Sequence, residues 1–173
     1  YSRHSYLGAR RMQGSANLNV MIKAARKAGR SLLKDFTEVE NLQVSSKSAG
    51  DFVSRADIAA EAIIKAELTA ARPTYGWVGE ESEAIDGQDP TRRWIVDPLD
   101  GTREYGEPGR SDWAVHIALA ERGVPTAGAV ALPAIGQTLC THPAPSMPPP
   151  VDGPPRLVVS RSRADRKSTR LNS

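Results

Sequence analysis

Trp94-Ile95-Val96-Asp97-Pro98-Leu99-Asp100-Gly101-Thr102 is the stretch from which the rest of the chain can be organised. Trp94, Ile95 and Val96 form an uninterrupted apolar run, the pattern of a strand buried on both faces. The run stops at Asp97-Pro98. Proline fixes its own φ and confines the residue before it to extended geometry, so Asp97 is held at the strand's end. Asp100 follows across the proline, and Gly101 permits a sharp turn. Two carboxylates about 4 Å apart repel by about 1 kcal/mol in bulk water, and by about 4 kcal/mol at an effective dielectric near 20. A cation between them removes that cost. Hard oxygen donors on an abruptly turned loop suit Mg²⁺. Gly101-Thr102 adds backbone N–H groups and a hydroxyl, the donors that a tetrahedral phosphate needs.

Upstream, Tyr75-Gly76-Trp77-Val78-Gly79 reads as a short strand running into Glu80-Glu81. Before it, Ser54-Arg55-Ala56-Asp57 has the form of a capping box and opens an Ala-rich helix that ends near Ala71, ahead of Pro73. Asp57, Glu80, Glu81, Asp97 and Asp100 thus stand at helix or strand ends. Each alone is an ordinary turn or helix-start residue. In this order, with a buried strand driving into the motif, they read as one acidic site. A first helix is marked by Leu18, Ile22, Ala25, Leu32, Leu33 and Phe36, with Lys23, Arg26, Lys27 and Arg30 on the wet side. Lys47-Ser48-Ala49-Gly50 reads as the turn between the helices.

Downstream, Trp113, Val115, Ile117 and Leu119 alternate with smaller or polar neighbours, so His116 reads as a structural strand residue. Ala127 to Leu132 makes a partner strand stopped by Pro133. Gln137–Thr141 and Leu157–Ser160 are further strand candidates. Trp77, Trp94 and Trp113 read as core. Two helices followed by strands predict an α+β fold.

The chain has 173 residues, 39% of them hydrophobic and 25% charged, which suits one domain and excludes a wholly disordered chain. No stretch approaches the roughly 18–20 apolar residues of a membrane span, and no secretory signal is visible. Cys140 stands alone, which excludes an internal disulfide or a multi-cysteine zinc site; it reads as a small buried residue in a reducing, cytoplasmic setting. The net charge is +3 and the pI about 9.2, yet the basic residues gather at the ends. Residues 35–160 hold ten Lys or Arg against nineteen Asp or Glu. A nucleic-acid footprint confined to the termini is weak, whereas an acidic middle suits divalent cations. Residues 1–16 read as a disordered extension, 17–160 as the domain, and 161–173 as a basic tail with the look of adapter-derived sequence. Seven of the thirteen prolines fall in 143–155, which reads as a loop.

Gly79-Glu80-Glu81-Ser82 and the Trp94–Thr102 segment together resemble the two signatures of the inositol monophosphatase superfamily, a group of magnesium-dependent, lithium-sensitive phosphatases. The resemblance covers about residues 18–160. It implies a layered αβαβα sandwich of which this chain holds the N-terminal portion, truncated at the C-terminus. It implies that Glu80, Asp97, Asp100 and the Leu99 carbonyl are metal ligands, and that Asp57 and Thr102, with Glu80, activate the attacking water. Gly101, Thr102 and Arg103 would contact the substrate. Lys47 resembles a lysine near a metal loop, and Glu81 a supporting acid. The implied reaction is two-metal hydrolysis of a small phosphorylated substrate, and a full-length parent could form a homodimer.

Residues 18–93 are most similar to bacterial inositol-1-monophosphatases. Arg103-Glu104-Tyr105 and Gly109–His116 instead resemble the branch acting on 3′-phosphoadenosine 5′-phosphate, with Arg103 or Arg110 binding a further phosphate. A join between two genes within the shared signature would explain the mismatch. The later Trp-Asp segment of the family is missing, so the chain as written is expected to be incomplete and inactive even where its full-length parent is an enzyme; a fragment that binds only metal or a partner is the reading from another class.

Overall fold

The computed structural model describes residues 3–42, 46–147, 149, 153 and 154, with side chains described for 16–37, 52–147, 149, 153 and 154. The apolar repeat beginning near Leu18 lies inside α1 (Arg3–Leu42). Leu18, Met21, Ala25, Ala28, Leu32 and Phe36 are its buried stripe. This corrects the expected face: Met21 belongs to it, whereas Leu33 is 37% exposed. Helix α2 (Ser46–Ala71) packs against α1 and buries Val53, Ala56, Ala60, Ile64 and Leu68.

Among the described residues five strands follow: β1 (Tyr75–Gly79), β2 (Asp89–Asp100), β3 (Ala114–Glu121), β4 (Val124–Leu132) and β5 (Gln137–Cys140). They form one mixed sheet in sequence order, with β1 parallel to β2 and the later neighbours antiparallel. Residues 80–88 return the chain beside β1, where Ile85 bridges Trp77. A one-turn helix, α3 (Thr102–Tyr105), separates β2 from β3. The α+β architecture is the expected one.

Both long helices cover one face of the sheet, α2 over β2 and α1 over β3 and β4. Trp77, Trp94, Val96, Val115, Ile117, Leu119, Ala129 and Ala131 face them and are buried. All three tryptophans are core, as expected. The expectation that Trp94–Val96 is covered on both faces needs correction, because Ile95 is 41% exposed. Along Trp94–Val96 burial alternates: the outer two residues are buried and Ile95 is not.

Two helix boundaries also differ from the sequence reading. Residues 3–16, read as a disordered extension, continue α1 toward its N-terminus. Leu7, Ala9, Arg10, Arg11, Met12 and Gln13 are good helix formers without an interrupting proline, and an established helix propagates more readily than it nucleates. Likewise Lys47–Gly50 and Ser54–Asp57 lie within α2, not in a turn and at a cap. Burial of Val53 and Ala56 stabilises helix through the sequence that mimics a start. Cys140 is half-buried on the last strand, not core. Residues 143–147 have no regular structure. The strand expected at 157–160 and the tail at 161–173 lie outside the described residues, as does the side chain of Lys47.

Candidate functional site

The carboxyl ends of β1 and β2 are neighbours because the strands are parallel, so Glu80-Glu81 and Gly101-Thr102 emerge at the same end of the sheet. Pro98 cannot donate to a ladder, and the β2–β3 register breaks between Asp97 and Asp100. The Leu99 N–H instead donates to Asp97 Oδ1 at 3.1 Å, which ties the acid to the turn. Gly101 then reverses the chain at φ 84. A Cβ there would lie 2.9 Å from the Asp112 carbonyl oxygen, so both conformation and space demand glycine. Tyr105 fastens the loop that follows: its hydroxyl donates to the Leu32 carbonyl at 2.9 Å, and its ring meets Trp113 edge-on.

Against these turns lies α2. Val53, Ser54, Asp57, Glu80, Glu81, Thr102, Arg103, Gly106 and Glu107 line a cavity of about 530 Å³. Asp57 is 4% exposed, and its Oδ1 has no hydrogen-bond partner. Burial, reinforced by Glu81, Glu80, Asp97 and Glu61, pushes its carboxyl up to about 7. Asp97 rises to about 6 through burial, the charge of Glu80 and a hydrogen bond shared with Glu80, with Asp100 adding to the repulsion. Several carboxyl groups thus crowd a space where water cannot screen them fully.

The structure brings Asp57, Glu80, Glu81, Thr102 and Arg103 onto one cavity wall, with Asp97 coupled to it through Glu80. Asp100 is placed differently. Its carboxylate lies 3.3 Å from His116 Nε2 and is 62% exposed. The Leu99 carbonyl accepts the Thr102 hydroxyl at 3.0 Å. Among the described residues, no three acidic, histidine or cysteine side chains already converge as a metal cage. Arg110 is drawn into ion pairs with Asp112, Glu107 and Glu104, so it is not displayed for a phosphate. Arg103 does border the cavity.

Glu61 escaped the sequence reading. It is 3% exposed and accepts the Glu81 N–H through Oε2 at 2.8 Å. Its position four residues after Asp57, on the same helix face, was the available signal.

Two helices on a mixed sheet, with a carboxylate-lined cleft at the parallel strand ends, define an α+β protein of the layered type. The sequence model of the inositol monophosphatase family matches residues 15–143. An inositol-1-monophosphatase from Mesorhizobium japonicum is 54% identical over 131 residues, covering 76% of this chain and 49% of that protein. Nus factor SuhB from Vibrio cholerae is 41% identical over 106 residues, covering 61% of this chain and 39% of its own. A crystal structure of extragenic suppressor protein SuhB from Bartonella henselae superposes with a TM-score of 0.63 at 50% identity, covering 72% of this chain and 48% of that one. The chain belongs to the inositol monophosphatase family. It spans about half the length, or less, of these relatives.

Proposed function

We propose that the protein is the N-terminal part of a Mg²⁺-dependent phosphomonoesterase that hydrolyses inositol monophosphate. The observation that carries this reading is the buried, unpartnered Asp57 oxygen on a cavity wall shared with Glu80, Glu81 and Thr102. Such a donor set fits a hard divalent cation: carboxyl oxygens crowd together there and each raises the cost of ionising its neighbours, a cost a cation would remove. Glu80, Asp97, Asp100 and the Leu99 carbonyl would hold the metal. When bound, it supplies neutralisation of the phosphoryl charge and an acidified water.

The chain's own groups do the rest. Asp57 and Thr102 orient a water, and the Asp57 carboxylate takes up its proton as its oxygen attacks phosphorus. The backbone N–H groups of Gly101 and Thr102 would hold the phosphoryl oxygens; the P–O bond to the leaving oxygen breaks in line, and that oxygen takes a proton from solvent water to leave as the alcohol. Arg103 on the cavity wall favours a second reading, a 3′(2′),5′-bisphosphate nucleotidase acting on 3′-phosphoadenosine 5′-phosphate, since a guanidinium suits a further phosphate.

Phosphate release in Mg²⁺ from inositol 1-phosphate and adenosine 3′,5′-bisphosphate, side by side, tests both. Turnover abolished by Asp97→Asn establishes the enzyme, and the preferred substrate decides between the readings. Metal binding without turnover of either substrate refutes catalysis by this chain and favours a metal-binding fragment.

A further inference from the structure

Asp57, Glu61 and Lys65 follow one another at four-residue intervals on α2 and face the end of β1. Asp57 enters the cavity. One turn later, Glu61 Oε2 accepts the Glu81 N–H at 2.8 Å. A further turn on, Lys65 Nζ donates to Ser82 Oγ at 3.3 Å, and the Trp77 indole N–H donates to the same hydroxyl at 3.0 Å. The helix therefore grips two consecutive residues of the turn that carries Glu80. A buried carboxylate is costly unless its hydrogen bonds use it, so the 3% exposure of Glu61 calls for a role.

The chain opposite makes room for it. A Cβ on Gly79 would lie 2.7 Å from Glu61 Cδ and 2.8 Å from Oε1, with Oε2 closer still. The last residue of β1 is thus a glycine where the carboxylate of Glu61 sits against the backbone. Burial, a directed hydrogen bond and a matching gap in the facing strand all concern the same side chain.

We propose that Glu61 is a positioning residue: it fixes the Gly79–Ser82 turn so that Glu80 and Glu81 line the same cavity as Asp57. Its bearing on metal affinity rests on the functional reading above; its hold on the turn does not. A group that orients ligands from behind is commonly worth 10- to 100-fold in metal affinity.

The test uses the full chain, Mn²⁺ alone as the probe, and amide hydrogen exchange at Glu81. Glu61→Ala should speed exchange at Glu81 and weaken Mn²⁺ binding about 10-fold or more. Glu61→Gln keeps an acceptor oxygen and should stay within about 3-fold of wild type, whereas a pure charge effect would make Glu61→Gln and Glu61→Ala alike; faster exchange at the Glu81 amide itself is what separates the hydrogen bond from packing. The atoms nearest a Cβ on Gly79 are those of the Glu61 carboxyl group, so Gly79→Ala should displace the carboxylate, at some cost in melting temperature, and reproduce both losses. It therefore keeps the test alive if Glu61→Ala fails to fold. Unchanged Glu81 exchange in Gly79→Ala and Glu61→Ala overturns the positioning role. Faster exchange with unaltered Mn²⁺ affinity overturns its link to the site. A wild-type chain that takes up no Mn²⁺ refutes the metal-dependent reading, while the exchange rates still decide whether Glu61 holds the turn.

Discussion

Replacing Asp57 by Asn should stabilise the metal-free protein, and the gain should depend on pH in a defined direction. In the folded chain the Asp57 carboxyl titrates at about 7, against 3.8 for the ordinary group. The folded state therefore binds the proton more tightly than the unfolded one, and stability falls as pH rises. Below the unfolded value both states are protonated and the site costs nothing. Between 3.8 and about 7 the unfolded state alone gives up its proton, so the penalty accumulates; above about 7 it is constant. At about 1.4 kcal/mol per pH unit the full difference is about 4 kcal/mol. The cavity mouth admits water and neighbouring carboxyl groups share the titration, which brings the expected penalty to about 2 kcal/mol.

Asn keeps the size of the side chain and removes the charge. Urea denaturation in a chelator should give Asp57→Asn an advantage of about 2 kcal/mol at pH 8, shrinking toward zero near pH 4. In melting temperature, this is roughly 4–8 °C for a chain of this size. A gain equal at pH 5 and pH 8 would mean that packing, not charge, sets the effect. No gain at pH 8 would refute the claim that buried carboxyl repulsion strains the site.

Gly101→Ala should cost about 1–3 kcal/mol in a urea titration, because the residue has φ 84 and its Cβ would press the Asp112 carbonyl. Tyr105→Phe should cost about 0.5–1.5 kcal/mol by the same measurement, since it removes the buried hydrogen bond to the Leu32 carbonyl, which keeps its partner within α1. Trp94→Ala should be far more damaging than Ile95→Ala, with a loss of about 3–5 kcal/mol at the fully buried indole, because Ile95 is 41% exposed. Equal losses at the two positions would contradict the one-sided cover of β2.

The sequence is most legible where local chemistry leaves little choice. Pro98 ends the ladder and Gly101 turns the chain whatever surrounds them, so the end of β2 and the acids around it can be read directly. Helix limits are less legible because tertiary packing sets them: Ser54-Arg55-Ala56-Asp57 has the letters of a cap, yet buried Val53 and Ala56 keep it inside α2. Glu61 was hidden for a different reason. Its partners, Gly79 and the Glu81 N–H, lie about twenty residues away and are backbone features that no motif spells out. Nor does spacing reveal the direction of Asp100: a register break of one residue exchanges the faces of a strand, and this one lies between Asp97 and Asp100.

An apolar run states how much cover a strand needs, not which part of a protein provides it. Trp94 and Val96 receive theirs from α2, whereas Ile95 and Leu139, on the other face, remain 41% and 37% exposed. The acidic site straddles the same division. Asp57, Glu80, Glu81 and Thr102 are gathered from the covered side, where helix packing fixes their distances. Asp100 instead meets His116, whose position alternates with buried Ile117 on β3 and so belongs to the bare face. One surface of the site is therefore set by contacts within the described residues, while the surroundings of Asp100 depend on whatever meets the second face of the sheet. That asymmetry follows from strand alternation itself, and it makes Asp57 rather than Asp100 the sharper position at which to test the chemistry of this chain.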